Sequence, residues 1–168
     1  MTGGEEKPML FAMSLPGRAP APLVSVVLSA CEDPRWPRLK ARLQALRSKG
    51  RRSVRIVDVN CGDGGLLIRA ASHARSLGFL AIEAVGLDSS TCHIEDARQR
   101  ARSLDDLAIG LRFDVGEPGP QLEAEAEFPA DILLFEAPTR LSPRLRGAVR
   151  RAGNIALRIS PSQRQACT

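Results

Sequence analysis

Two acidic residues and two glycines carry the chemistry this chain can do. Asp58 stands near the end of an apolar run, VRIVDV, which passes straight into a glycine-rich turn, NCGDGG, with Gly62 and Gly64 at its bends. A second apolar run, LAIEAVGL, ends at another acid, Asp88. A strand, a glycine-rich turn that opens a helix, and an acid at the tip of the next strand together make a nucleotide site. The glycines let backbone approach the ligand, the helix N-terminus offers unpaired N–H groups, and the second acid holds ribose hydroxyls.

The turn itself narrows the choice of nucleotide. Read as a dinucleotide fingerprint, Gly62-Asp63-Gly64-Gly65-Leu66-Leu67 fails at its last position, where close helix–strand packing needs a small residue and finds Leu67. No Walker lysine follows the glycines, so a phosphate-gripping loop is not indicated. Asp63 puts a negative charge in the turn, which also disfavours a pyrophosphate.

The residues then resemble a family. Asp58-Val59-Asn60-Cys61-Gly62-Asp63-Gly64 is similar to the D-x-G-C-G-x-G turn of class I S-adenosylmethionine-dependent methyltransferases. Gly86-Leu87-Asp88-Ser89-Ser90, followed by Ala97-Arg98, resembles the second block of that family. Leu111-Arg112-Phe113-Asp114 resembles the third block, and Ala130-Asp131-Ile132-Leu133-Leu134-Phe135 the fourth strand. The resemblance spans about 54–160, with four blocks in the family's order.

The resemblance implies S-adenosylmethionine as cofactor and methyl transfer to an unidentified acceptor, a small molecule being favoured. By position, Asp58 and Gly62 line the methionine end, with Asn60 and Cys61 in the same turn. Gly64 allows close approach, Asp88 binds the ribose, Ser89 sits against the adenine, and Asp114 reaches the adenine amine. Asn60 and Ser89 depart from the family, which usually has glycine and an apolar residue there. Asn is among the few non-glycine residues that tolerate positive φ, so the turn survives. Glu136, just past the fourth strand, is where the family faces its substrate, and it is the candidate general base. His93, within a turn of Asp88, is placed to approach the adenine rim. His73 reads as a surface or half-buried helix residue, and Cys61 as a small packing residue pointing away from the ligand.

The elements that position these groups follow from periodicity and punctuation. Strands are expected at 54–59, 80–87, 111–115, 131–135 and 154–160, and helices at 64–77, 90–103 and 142–151. Asp33-Pro34 reads as a cap and first helical residue, with Gly50 as the stop; Trp36, Leu39, Leu43 and Leu46 share one face of that helix. Its arginines and lysines are expected to face water. The stretch 117–130 has room only for a short helix. Alternating strands and helices imply an α/β Rossmann-like sandwich with a mostly parallel sheet of order 3-2-1-4-5. The family's sixth and seventh strands have no sequence left to form them. Strand five is then an exposed parallel edge, to be covered by the tail, a second subunit or another protein.

Composition sets outer bounds. With 168 residues the chain fits one domain, expected over 23–168, with 1–22 read as a disordered tail rich in Gly, Pro and charge. Hydrophobic content of 43% and charged content of 26% fit a soluble globular protein. No stretch is long and apolar enough to span a membrane. Leu28-Ser29-Ala30-Cys31 matches a lipoprotein cleavage box, but the apolar run before it is short, so a buried element is the plainer reading. The four cysteines show no paired spacing, which argues against metal and disulfide frameworks and fits reduced thiols in cytoplasm.

Charge is unevenly distributed. Residues 34–55 hold nine basic side chains and no acid, and 137–168 hold seven and no acid. Between them, 56–136 carry fifteen acids against six bases. Three readings therefore stand side by side: an active methyltransferase, an inactive chain that keeps the fold as an interaction partner, and a basic nucleic-acid-binding module resting on Arg140, Arg144, Arg146, Arg150 and Arg151.

Overall fold

Five apolar runs punctuated by helices make one sheet. The computed structural model describes residues 33–136 and 142–159. In chain order the elements are α1 (Trp36–Ser48), β1 (Ser53–Val59), α2 (Gly65–Ser76), β2 (Ala81–Asp88), α3 (Thr91–Ala101), β3 (Ile109–Val115), α4 (Pro118–Glu125), β4 (Ile132–Glu136), α5 (Pro143–Ala152) and β5 (Ala156–Ile159). All four pairings are parallel, as the alternation of elements predicts, and the order is the expected β3-β2-β1-β4-β5. The N-terminal tail, the 28–31 box and Arg140 lie outside the described residues.

Both faces of the sheet are covered, which is why β1 and β4 read as continuous apolar runs. One face packs Ile56, Ile82, Ala84 and Leu134 against Leu39 and Leu43 of α1, Leu67, Ala70 and Ala74 of α2, and Ile94 of α3. The other packs Val57, Val85, Leu133 and Phe135 against Leu122 of α4 and Ala148, Val149 and Ala152 of α5. Successive strand residues therefore alternate between two buried layers.

Helix ends differ from expectation at one point. The Asp33 carboxylate does not cap a helix begun at Pro34; it accepts the Arg35 N–H at 2.8 Å, closing a local turn. The helix starts at Trp36 with Pro37 in its first turn. The reason is a competing use of Asp33, whose oxygens also bind the Arg35 guanidinium. Elsewhere the signals hold: Ser90 and Ser142 cap α3 and α5, accepting from the N–H groups of His93 and Leu145. Among the described residues, no helix is long and apolar enough to cross a membrane.

Candidate functional site

The glycine-rich turn leaves the carboxyl end of β1 in a run of left-handed residues. Asn60 has φ 65°, Gly62 57° and Gly64 73°, so Asn60 adopts the conformation for which its residue type is suited. The turn is tied to the next strand by the Cys61 N–H, which donates to the Leu87 carbonyl at 3.0 Å.

Asp88, at the tip of β2, is the hub. Its Oδ2 accepts the Gly62 N–H at 2.9 Å; its Oδ1 accepts the Ser90 N–H at 2.9 Å and faces His93 Nδ1 at 3.2 Å. Burial alone pushes the Asp88 carboxyl up, but the N–H groups of Ser90 and Gly62, with His93, outweigh it and hold it below the ordinary carboxylate value. A carboxylate offers about four acceptor positions. Three are taken, and the fourth lies on Oδ2. As built, Asp88 has room for one ligand hydroxyl; a second requires the exposed His93 ring to swing aside. His93 thus meets the acid itself, ahead of anything the acid binds.

Asp58 points into the layer of α1, wholly buried, and Arg35 Nη1 donates to its Oδ1 at 3.1 Å. This corrects the expectation that the basic residues of the α1 segment face water: Arg35 is 3% exposed. Spacing gave no sign of it, because the two residues lie 23 apart and meet only through the packing of α1 on the sheet.

Gly64 serves packing. A Cβ there would lie 2.7 Å from the Phe113 ring and 2.9 Å from Ala97 Cβ, so α2 sits close on the strands only because the side chain is missing. The Cys61 sulfur is buried beside Gly86, and burial, then the charges of Asp58 and Asp88, push its thiol up. That environment suits an inert packing group. Asp63 accepts the Gly65 N–H at 3.0 Å and pairs with Arg100.

The remaining predicted residues spread along the carboxyl ends of the strands. Ser89 is exposed beside Asp88. Asp114, near the end of β3, lies 3.2 Å from Arg112 Nε and 4.0 Å from Arg98 Nη2. Glu136 ends β4, half-buried, next to residues outside the described set. His73 of α2 is stacked edge-on against Trp36 at 5.5 Å; burial, then the charges of Lys40 and Arg69, lower its pKa.

A cleft of about 480 Å³ opens at the opposite end of the sheet, lined by Arg51, Leu80, Glu83, Leu107 and Asp131. It lies at the amino ends of the strands, whereas ligands of open parallel sheets bind at the carboxyl ends. The turn at Asp58 and Asp88 is therefore the better-founded site.

No protein-family model matches the chain, and no curated protein does. Solved structures do. A co-crystal structure of WbdD with a kinase inhibitor aligns over 76% of this chain and 30% of its own, at 19% identity and a TM-score of 0.51. WbdD is described as a bifunctional kinase-methyltransferase. Magnesium protoporphyrin IX methyltransferase from Synechocystis PCC 6803, solved with S-adenosylhomocysteine, covers 82% of this chain and 59% of its own at 15% identity, TM-score 0.49. A SAM-dependent methyltransferase from Agrobacterium tumefaciens covers 62% and 30% at 18% identity, TM-score 0.44. The chain thus spans less than two thirds of each of these proteins. The likeness is one of architecture, and with the sheet order and the turn at Asp58 it gives the conclusion that this chain has the class I methyltransferase fold.

Proposed function

We propose that the chain is an S-adenosylmethionine-dependent methyltransferase. The observation that carries this reading is Asp88: an ionised carboxylate at the tip of β2, locked to the glycine turn through Gly62, with an acceptor position left for a ribose hydroxyl. The turn at Asn60, Gly62 and Gly64 fits the cofactor's methionine end, with Ser89 and Asp114 on the adenine side. When bound, the cofactor supplies an electrophilic methyl group on a sulfonium. The chain's own work is positioning: Asp88 orients the ribose, the turn seats the amino-acid end, and Glu136 takes the acceptor's proton. We infer a cytoplasmic location, supported by the free thiols of Cys61 and Cys92.

Titration calorimetry with S-adenosylmethionine and S-adenosylhomocysteine tests this. The expected result is micromolar binding that Asp88→Ala abolishes, followed by methyl transfer that Glu136→Gln slows.

A second reading has its own support. Arg35 engages Asp58, and Arg98 and Arg112 flank Asp114, so internal cations meet two of the three acids assigned to the cofactor. That pattern favours a chain that keeps the fold for interactions and has lost the chemistry. No heat and no thermal shift at millimolar ligand would establish it over the first.

A further inference from the structure

The two acid-free basic segments lie far apart in sequence, and the fold brings them to one place. Leu39 and Leu43 of α1 share an apolar cluster with Leu134 of β4 and Leu157 of β5, on one face of the sheet. α5 packs on the opposite face, where Ala148 and Val149 share a cluster with Leu133 and Phe135. Both therefore flank β5, which ends the sheet among the described residues.

Within each helix the cations divide into two flanks. In α1, Arg47 Nε donates to the Leu77 carbonyl at 3.2 Å and the Lys40 charge bears on His73, so these two face α2. Arg38, Arg42 and Lys49 fall within about 40° of one another on the other flank, toward β5. In α5, Arg144 pairs with Glu123 of α4 at 2.7 Å, and the charge of Arg151 bears on the same carboxylate. Arg146 and Arg150, one helical turn apart, fall on the flank away from α4, again toward β5. Arg158 lies on β5 itself. All six are exposed, none is ion-paired among the described residues, and no carboxylate lies in α1, α5 or β5 to offset them.

We propose that this edge binds the phosphate backbone of a nucleic-acid duplex: Arg38, Arg42 and Lys49 contact it from one face of the sheet, Arg146 and Arg150 from the other, and Arg158 between them. The choice of occupant follows from what the surface lacks. Among the described residues the exposed large apolar side chains are Leu80, Leu107, Val115 and Phe128, none of them on α1, α5 or β5. A protein interface draws its affinity from buried apolar and aromatic anchors, and this edge offers none. Single strands are held by bases stacked on aromatic rings, and none is exposed here. Phosphates need only cations. The surface is separate from the turn at Asp58 and Asp88, so it does not depend on methyl transfer.

The test is fluorescence anisotropy of the full chain with labelled duplexes of about 20 base pairs, RNA and DNA of one sequence, across salt. Six contacts predict a log–log slope of about −5, and an affinity that falls roughly a thousandfold between about 50 and about 200 mM salt. Arg38→Gln with Arg42→Gln, and Arg146→Gln with Arg150→Gln, should each flatten the slope by about 2, while Lys40→Gln with Arg151→Gln, on the inward flanks, leaves it unchanged. Tighter binding of one duplex assigns that nucleic acid as the partner; equal binding assigns readout of charge alone. The proposal is overturned by no binding of either duplex at low salt, by equal effects of the inward and edge pairs, or by tighter binding of a single strand. Tighter binding of a poly-glutamate peptide also overturns it and points to an acidic protein.

Discussion

The Arg35 guanidinium and the Asp58 carboxylate meet 3.1 Å apart, with side chains 3% and 0% exposed. The contact joins the start of α1 to the carboxyl end of β1, beside the glycine turn. Arg35 also binds Asp33 through Nε and Nη2, so one cation holds two carboxylates.

Removing that cation should be costly. Arg35→Ala takes the cation away from a buried carboxylate and is expected to destabilise the fold by about 3–5 kcal/mol in chemical denaturation. Arg35→Lys should recover only part, because an ammonium lacks the fork that spans Asp33 and Asp58. The pair Arg35→Met with Asp58→Leu should lie closer to the parent than Arg35→Ala does. If Arg35→Ala melts with the parent, the pair contributes nothing to stability.

Two glycines with positive φ should respond differently to alanine. At Gly64 the backbone penalty of about 1–2 kcal/mol adds to a clash with Phe113 worth about 1–3 kcal/mol. At Gly50, φ 82°, nothing lies within 4 Å of the added Cβ, so only the backbone penalty remains. Phe113→Leu should rescue part of the Gly64→Ala loss and none of the Gly50→Ala loss. Thermal melts of the four variants decide this.

Asp88 should make stability depend on pH in acid. Its folded carboxyl sits below the unfolded value of about 3.9, so it stabilises the fold above that value. The contribution is lost as pH falls through the depressed folded value. The difference in denaturation midpoint between the parent and Asp88→Asn should therefore be full near pH 6 and close below about pH 4. A difference that grows on acidification would contradict the assignment.

His93 should compete with the cofactor for Asp88. His93→Ala frees an acceptor position on Oδ1 and should tighten S-adenosylhomocysteine binding several-fold. Calorimetry of the parent and His93→Ala reads this directly. Weaker binding in His93→Ala would instead make the ring part of the nucleoside pocket.

Much of the site was legible because it is local in sequence. Left-handed turns at Asn60, Gly62 and Gly64 follow from residue type, the acid at the tip of β2 follows from the end of an apolar run, and Ser90 and Ser142 cap helices as short-range signals say. Where two uses of one residue competed, the pattern misled: Asp33 reads as a cap, yet its carboxylate is drawn to Arg35. Gly64 read as the point of close ligand approach, and the Phe113 ring that packs against it is 49 residues away in the chain.

The sequence by itself determined the alternation of strands and helices, which implies a parallel sheet, and the resemblance of its motifs supplied the order 3-2-1-4-5. It also determined which acids stand at strand ends. Only the tertiary structure decided which distant cations meet those acids: Arg35 at Asp58 and Arg98 at Asp114. It alone brought two distant basic helices to the two sides of β5. The physical reason is range. Backbone preference and apolar periodicity act over a few residues, whereas an ion pair or a surface of like charge depends on which side chains packing carries into contact.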